Sequence, residues 1–374
     1  MPSIVHIYKT YLPETIGGGE RVIFELAEGA VKAGYDVSVI YLSDKETEID
    51  KIYFGHVTHS FRKTAEIAST PFVFSNLAKI RQLISDADIV HYHYPWPFAD
   101  LLHLLFGRGS TSVVTYHADI IKQRFLERLY APVRRLFLSD VTRIIATSEP
   151  YVTSSKVLES YTSKLGVIPL GLSESLYPRP NEALVAKFQQ RFGGNFFLFI
   201  GALRSYKGLD SLLDAAKTTE FPIVIGGSGE LASHLADRVA SEGLLNVHLL
   251  GAIGDDEKVA LLKACSIFVF PSHQRSEAFG LSLVEAAMMS KPMISCELGS
   301  GTSFVNKAGE TGEVVQPNDS QALSHSMRIL SESESLREVY GVNARSRFER
   351  LFRAEIMVDK YLGLYRQLIQ QDKQ

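Results

Sequence analysis

Cysteine, tryptophan and long hydrophobic runs are all scarce in this 374-residue chain. Two cysteines, Cys265 and Cys296, are too few for a disulfide framework or a cysteine-ligated zinc cluster. The apolar runs at residues 101–106 and 196–203 fall far short of the roughly 20 residues that a membrane-spanning helix needs. The N-terminus lacks a basic segment followed by an apolar core, so no signal peptide is expected and a cytoplasmic protein is favoured.

The charge balance is close to neutral, with a formal net charge of −3. A nucleic-acid partner normally requires a strongly basic domain, so none is expected. Hydrophobic residues make up 45% and charged residues 22% of the chain, as in soluble globular proteins. The length suits two domains of ordinary size, each with its own core.

Short β-rich runs alternate with longer helical patterns along the whole chain. In the first half, strands are predicted over 4–8, 37–41, 89–92, 112–116, 143–147 and 165–169, and helices over 20–33, 121–138 and 150–161. After a polar, proline-containing stretch the strands resume over 196–200, 222–225, 247–250, 266–270, 293–296 and 313–315. This rhythm predicts an α/β protein with two doubly wound parallel sheets, over 1–172 and 183–353, joined by a linker at 173–182. An amphipathic helix follows over 354–369.

The most informative motif places two glutamates, Glu277 and Glu285, on either side of a Phe-Gly-Leu turn. Glu277 follows a predicted strand, and a helix is predicted from Leu281 to Ser290. The N–H groups of Phe279, Gly280 and Leu281 would lie at the start of that helix, where unpaired donors and the helix dipole attract phosphate. A capping glutamate and a solvated glutamate would give the same spacing without function.

The whole segment, Glu-Ala-Phe-Gly-Leu-Ser-Leu-Val-Glu at 277–285 followed by Lys-Pro-Met-Ile-Ser, resembles the donor-site signature of retaining glycosyltransferases of family 4. The resemblance implies the GT-B fold, in which two Rossmann-like domains face each other across a cleft. It implies an acceptor-binding N-terminal domain, to which the terminal helix at 354–374 returns, and a donor-binding C-terminal domain. Glu285 would then hold the ribose, Glu277 the sugar, and the N–H groups at 279–281 the diphosphate.

A second motif, Gly201-Ala-Leu-Arg-Ser-Tyr-Lys-Gly208, follows the first strand of the second domain. Cations on such a loop can neutralise a pyrophosphate, although many basic loops are only solvated turns. The segment resembles the Gly-Arg-Leu…Lys-Gly motif of the same family, which assigns Lys207 to the diphosphate. Ala202 stands where the family has its arginine, and Arg204 comes two residues later, so Arg204 is a candidate replacement.

Two glycine turns are further candidates for donor contact. Gly227 lies between a strand and a helix, where it either lets backbone approach the donor or packs the strand against the helix. No carboxylate ends the next strand, which disfavours a dinucleotide-binding dehydrogenase. Gly18 and Gly19 open the first helix, and in the family the equivalent loop approaches the sugar and the diphosphate.

Histidines follow two predicted strands of the first domain. His117 resembles the active-site histidine of the family, and the role implied is a hydrogen bond to the transferred sugar. His93 and Trp96 lie in a His-Tyr-His-Tyr-Pro-Trp run that suits either core packing or an aromatic wall for the acceptor. His-x-His can bind metal, but no third ligand completes a site by spacing, and Asp86-Ala-Asp88 precedes a strand. No metal and no cofactor are predicted.

The predicted helix at 120–138 is basic and amphipathic. Its cations are Lys122, Arg124, Arg128, Arg134 and Arg135, against the single acid Glu127. Such a helix is either an ordinary surface helix or a peripheral contact with an anionic membrane. Because family members often use lipid-linked acceptors, a peripheral position on the inner face of the cell membrane is one expectation.

The segments 9–11, 94–98 and 299–306 look like those of bacterial mannosyltransferases of O-antigen assembly. The resemblance therefore implies metal-independent transfer of mannose from GDP-mannose to a polyprenyl-diphosphate-linked saccharide. A UDP-hexose or UDP-N-acetylhexosamine donor is the alternative. A nucleotide-sugar epimerase, a phosphorylase and a non-catalytic sugar-binding subunit are the other classes that could share this architecture.

Overall fold

The computed structural model describes residues 1–68, 70–120 and 124–372, without the side chains of 124–127. Two compact units are present: Met1–Gly171 together with Ala354–Gln374, and Leu172–Arg353. The predicted linker at 173–182 belongs to the second unit, where Glu174–Leu176 form a 3-10 turn. Across the described residues, no helix reaches the length and hydrophobicity that a bilayer crossing requires.

The first unit is built on a sheet with the order β10-β9-β8-β7-β1-β2-β4-β3. Its strands are β1 Ser3–Ile7, β2 Asp36–Ser43, β3 Glu48–Tyr53, β4 His56–Arg62, β7 Ile89–Tyr94, β8 Ser112–Tyr116, β9 Arg143–Ala146 and β10 Leu165–Val167, with a hairpin of β5 Ala65–Ile67 and β6 Thr70–Phe72 beside them. All pairs in the large sheet are parallel except β3 with β4. The predicted doubly wound sheet is confirmed, and β3 to β6 were not predicted.

Helices alternate with the strands of this unit. They are α1 Gly18–Lys32, α2 Leu77–Ser85, α3 Pro97–Leu102, α4 Arg124–Asp140 and α5 Glu149–Ser154, with a π-helical turn at His103–Gly107 and a 3-10 segment at Leu158–Lys164. The continuous helix predicted over 150–161 is wrong, because α5 ends at Ser154 and Ser155 has extended backbone. The first three residues of the helix predicted over 121–138 lie outside the described residues.

The second unit contains a fully parallel sheet with the order β13-β12-β11-β14-β15-β16. Its strands are β11 Phe197–Ile200, β12 Ile223–Gly226, β13 Val247–Gly251, β14 Ile267–Phe270, β15 Met293–Cys296 and β16 Gly312–Val315. Its helices are α6 Glu182–Phe192, α7 Leu209–Ala216, α8 Ala232–Ser241, α9 Asp255–Ala264, α10 Leu281–Met288, α11 Gly301–Val305, α12 Ser320–Glu332 and α13 Glu334–Arg347. Each predicted strand lies within a residue of its observed position. Because the chain order reverses between β11 and β14, the loops after these two strands meet at the edge where such sheets bind ligands.

The terminal helix α14, Ala354–Asp372, belongs to the first unit and packs on α1. Its Tyr361 and Tyr365 are fully buried against the large sheet. Tyr365 Oη lies 2.6 Å from His91 Nδ1, and Tyr361 Oη lies 2.6 Å from Thr115 Oγ1. The predicted return of this helix to the N-terminal domain is confirmed.

Replacing Gly29 with alanine is expected to destabilise the first unit by about 1–3 kcal/mol, as overpacking of cores does. A Cβ at Gly29 of α1 would lie 2.4 Å from Cγ1 of Val358 on α14, and the β-branched Val358 has little freedom to move aside. Gly363→Ala is the matched control, because a Cβ there meets nothing within 4 Å and alanine favours the helix. Urea unfolding should place the two variants on opposite sides of the wild type; equal stability of both would contradict this packing.

Candidate active site

Lys207 and Glu277 form an ion pair at the point where the strand order of the second sheet reverses. Lys207 ends the 3-10 turn Ser205–Lys207 after β11, and Glu277 lies in the loop after β14. Lys207 Nζ bonds to Glu277 Oε2, and the two side chains are only 10% and 12% exposed. The structure therefore brings together two residues that the sequence placed in separate motifs.

The backbone fixes this pair from both sides. Gly208 has a φ of +69°, and a Cβ there would lie 1.9 Å from the carbonyl oxygen of Pro271, so the turn after β11 closes onto the loop after β14 only with glycine. The ammonium group of Lys207 lies 4.6 Å from the centroid of the Phe270 ring, and Ser272 Oγ donates to Glu277 Oε2 at 3.4 Å. The charges are thus held in a defined, largely dry environment.

Helix α10 begins directly beside this pair. Gly280, its N-cap residue, has a φ of +82°. Ser300 Oγ donates to the carbonyl oxygen of Glu277 at 2.9 Å, and Gly301 N–H donates to that of Ala278 at 2.7 Å, which anchors the loop. Among the described residues, the N–H groups of 279–281 have no backbone acceptor. Unpaired N–H groups and the helix dipole at such a helix start favour an anion.

Glu285 lies one turn further along α10 and is buried. Its Oε1 accepts hydrogen bonds from Tyr177 Oη at 2.8 Å and from Lys258 Nζ at 3.1 Å. Lys258 Nζ in turn lies 5.0 Å from the centroid of the Tyr177 ring. Glu285 is thus not a solvated helix residue but a positioned carboxylate. Tyr177 comes from the predicted linker and Lys258 from α9, and sequence reasoning identified neither.

The remaining candidates of the second unit are placed differently. Arg204 is exposed in the turn after β11, and its role as a replacement for the family arginine stays a prediction. Gly227 has a φ of +144°, and a Cβ there would lie 1.9 Å from the carbonyl oxygen of Gly201. The structure thus supplies a packing reason for this glycine, while its approach to the donor stays a prediction.

The glycine loop of the first unit leads into α1, with Gly18 and Gly19 in its first turn. A Cβ at Gly19 would lie 3.1 Å from Tyr8 Oη, so the loop packs closely on the end of β1. Thr10 Oγ1 donates to Glu20 Oε1 at 2.7 Å, and Glu20 is 6% exposed. Glu20 therefore holds the loop rather than facing solvent.

His117 is the outermost of three histidines connected by hydrogen bonds. His117 Nε2 lies 3.1 Å from His93 Nδ1, and His93 Nε2 lies 3.1 Å from His6 Nδ1. His117 follows β8 and is half-buried, whereas the other two are buried in β7 and β1. Burial, with a smaller contribution from Lys9, lowers the pKa of His117 to about 4. Burial likewise holds the pKa of His93 well below its ordinary range and lowers that of His6 to about 3. All three imidazoles are therefore neutral near pH 7.

The hydrogen bonds of His91 distinguish this histidine cluster from a metal site. One nitrogen each from His6, His91 and His93 lies within 4.8 Å of the others, and these are the described residues whose geometry could hold an ion. Both nitrogens of His91 already have hydroxyl partners, Tyr365 at 2.6 Å and Thr115 at 2.7 Å. No carboxylate joins this group in the described parts of the chain. Hydrogen bonding therefore accounts for the cluster better than coordination does, since a buried dication would lack a compensating charge.

The two predicted acceptor contacts are buried. Trp96 is 1% exposed, and its Nε1 donates to the carbonyl oxygen of Pro71 at 3.1 Å. His93 is also 1% exposed. Core packing and hydrogen bonding therefore give each residue a structural role, and acceptor contact through them stays a prediction that requires a local rearrangement.

In the second unit the ion pair, the helix N-terminus and the buried carboxylate follow β11 and β14, at the edge where doubly wound sheets bind ligands. The model of glycosyl transferases group 1 matches residues 181–347, and that of glycosyltransferase family 4 matches 16–175. D-rhamnosyltransferase WbpZ of Pseudomonas aeruginosa is 47% identical, over 94% of this chain and 92% of its own length. O-antigen chain mannosyltransferase C of Escherichia coli is 44% identical, over 98% and 99%. The chain belongs to glycosyltransferase family 4.

Solved structures place the fold. Sucrose-phosphate synthase from Thermosynechococcus elongatus matches with a TM-score of 0.81 at 21% identity, over 99% of this chain and 100% of that one. Anabaena HepE in complex with UDP matches with a TM-score of 0.77 at 18% identity, over 97% and 99%. The fold is GT-B, with two Rossmann-like units.

Proposed function

We propose that the protein is a retaining glycosyltransferase that transfers mannose, or its 6-deoxy form D-rhamnose, from a GDP-activated donor to a lipid-diphosphate-linked saccharide in O-antigen assembly. The observation that carries this proposal is the arrangement of the segment 277–285. Its first glutamate pairs with Lys207, its middle opens a helix N-terminus, and its last glutamate is held by Tyr177. These groups match the sugar, the diphosphate and the ribose of one donor molecule.

The reaction follows from where charge develops. The bond between C1 of the sugar and the diphosphate oxygen breaks, and negative charge builds on the departing nucleoside diphosphate. Lys207 and the N–H groups at 279–281 stabilise that charge. The acceptor hydroxyl attacks C1 from the same face, and its proton passes to the departing phosphate, so the configuration at C1 is retained. Glu277 and His117 orient the sugar, and metal independence is part of the proposal.

The identity of the sugar rests on the relatives. One is named a D-rhamnosyltransferase and the other a mannosyltransferase. D-rhamnose is D-mannose without the hydroxyl at C6, so the two share every ring configuration. Both therefore suit one donor pocket, and GDP-mannose is the favoured donor. A UDP-activated sugar is the alternative, since HepE of the same fold was solved with UDP.

The surface of α4 supports access to a lipid-linked acceptor. Leu129 and Leu136 are 65% and 62% exposed, and the cations Arg128 and Arg135 beside them are also exposed. A helix that presents apolar and basic side chains to solvent together suits the interface of an anionic membrane. We place the protein at the inner face of the cell membrane during transfer, held through residues 120–138.

Calorimetric titration with GDP and with UDP, both in EDTA, tests the donor class. Tight binding of GDP alone is expected, followed by transfer from GDP-mannose or GDP-D-rhamnose to a synthetic polyprenyl-diphosphate saccharide with retention at C1. Preference for UDP would change the assigned donor to a UDP-activated sugar and leave the proposed reaction type unchanged. Release of free or isomerised sugar in the absence of acceptor would indicate a phosphorylase or an epimerase instead of a transferase. Donor binding without turnover would indicate a sugar-binding subunit.

A further inference from the structure

The row of histidines His117, His93 and His6 in the first unit has one end without a hydrogen-bond partner among the described residues. His117, His93 and His6 are linked nitrogen to nitrogen at 3.1 Å in both steps. His6 Nε2, at the buried end, has no hydrogen-bond partner among the described residues. At the other end, His117 Nε2 is engaged by His93, so Nδ1 is the nitrogen that the half-buried His117 offers to a substrate. The three rings therefore form one line from the interior of the first unit outwards to the half-buried His117.

Neutral imidazoles can occupy this line in only two self-consistent ways, because each ring has one donor nitrogen and one acceptor nitrogen. In the first, every proton lies on Nε2: His117 donates to His93, which donates to His6, and the N–H of His6 Nε2 is buried without an acceptor. In the second, every proton lies on Nδ1: His6 donates to His93, which donates to His117. His6 Nε2 is then a bare lone pair, and His117 presents an N–H to the substrate.

The unmatched end decides between the two. Among buried backbone groups, an N–H without an acceptor is rarer than an under-satisfied acceptor, and we extend the same ordering to the imidazole nitrogens. The first arrangement buries such an N–H in His6, and the second does not. Burial keeps all three rings neutral near pH 7. No ring therefore carries a second proton, which would make both of its nitrogens donors.

We infer that His93 and His6 are positioning residues that place the proton of His117 on Nδ1, so that His117 donates a hydrogen bond to the substrate and does not accept one. This deepens the proposed function, on which its catalytic consequence rests. A hydroxyl or ring oxygen of the transferred sugar is the acceptor that suits this donor. Isolated neutral histidines mostly carry the proton on Nε2, so the row reverses an intrinsic preference.

The tautomer itself is measurable without any substrate. With ¹⁵N-labelled histidine, NMR correlations between ring protons and nitrogens assign the protonated nitrogen of His117. The wild type is expected to carry the proton on Nδ1, and His93→Leu to shift it towards Nε2. His93→Asn loses the link to His6 and can present either an N–H or a carbonyl oxygen to His117 Nε2, so it is expected to leave the proton of His117 divided between both nitrogens. Protonation of His117 on Nε2 in the wild type would overturn the inference, whatever reaction the protein catalyses.

Two further variants separate positioning from a general effect of core mutation. His6→Leu removes the first donor of the row and is expected to shift the tautomer as His93→Leu does, which tests the row even if one variant does not fold. His91→Asn changes a buried histidine that stacks on His93 at 4.4 Å but makes its hydrogen bonds to Tyr365 and Thr115, and should leave the tautomer of His117 unchanged. A shift of the same size in His91→Asn would overturn the assignment.

Turnover completes the test. His93→Leu is expected to lower kcat about tenfold with little change in the KM for the nucleotide-sugar. The reason is that the variant misplaces the hydrogen bond from His117 to the sugar and leaves the contacts to the nucleotide unchanged. His93→Asn is expected to recover only part of that loss, in proportion to the share of His117 that carries its proton on Nδ1. A tautomer that shifts as described with no change in kcat would show that the row sets the proton but that transfer does not use it, and would overturn the catalytic half of the inference.

Discussion

Replacing Lys207 with alanine is expected to lower kcat at least about 100-fold, the size of effect seen when a group that stabilises transition-state charge is removed. The side chain of Lys207 is only 10% exposed, and that of its ion-pair partner Glu277 is only 12% exposed. The variant therefore loses a positive charge next to the departing diphosphate. It also leaves the carboxylate of Glu277 without its partner, and that negative charge opposes the charge that builds on the phosphate.

Single-turnover transfer from saturating donor measures this loss without interference from product release. Lys217→Ala is the matched control: Lys217 is in the same unit and pairs with Asp214 and Glu242, but it is 47% exposed and away from the strand ends. Adding Glu277→Gln to Lys207→Ala separates the two contributions, since it removes the opposing charge. A rate near that of the wild type in Lys207→Ala would refute the assignment of this lysine to the diphosphate.

The second large effect is expected on donor affinity, in Glu285→Ala. A hydrogen bond to a charged group contributes about 1.5–3 kcal/mol, so loss of the carboxylate should weaken binding of GDP roughly 10- to 100-fold. Tyr177 and Lys258 lose their shared acceptor at the same time, which leaves the ammonium group of Lys258 with less compensation. Chemistry on the bound donor should change much less than affinity does.

Titration with GDP and with 2′-deoxy-GDP identifies the contact. The wild type should discriminate against the deoxy nucleotide, and Glu285→Ala should bind both with similar weak affinity. Glu313→Ala is the matched control. Glu313 lies on the edge strand β16, and it also accepts a hydrogen bond from a tyrosine, Tyr340, at 3.0 Å. Retained discrimination in Glu285→Ala would mean that another group holds the ribose.

The strand framework and the donor motif were predictable because both are local in the sequence. Buried parallel strands form continuous, largely apolar runs, and the four inner strands of the second sheet, β12, β11, β14 and β15, follow that rule. The segment 277–285 was recognisable for the same reason, since a loop, a positive-φ glycine and a helix start follow one another. The ion pair between Lys207 and Glu277 needed one further fact, the reversal of strand order between β11 and β14.

Other features could not be predicted because they depend on contacts between distant segments. Tyr177 lies 108 residues from Glu285, and its stretch of prolines and polar residues indicated only a linker. His6 lies 87 residues from His93 and looks like any residue of a buried strand. Strands β3, β5 and β6 were missed because they are short or largely exposed, and β4 because most of its buried residues are histidine, threonine and serine, so the hydrophobic pattern is weak in all four.

The position of α14 has a consequence for synthesis of the chain. The face of the first sheet carries polar groups, His91 and Thr115, whose partners are tyrosines near the C-terminus. Ribosomes release residues in order, so these groups lack their tyrosine partners while the entire second unit is made. The N-terminal unit thus completes its native core only when the last helix has emerged, although domains are usually finished from the N-terminus onwards. Synthesis of α14 is therefore the step on which correct folding of the first unit depends.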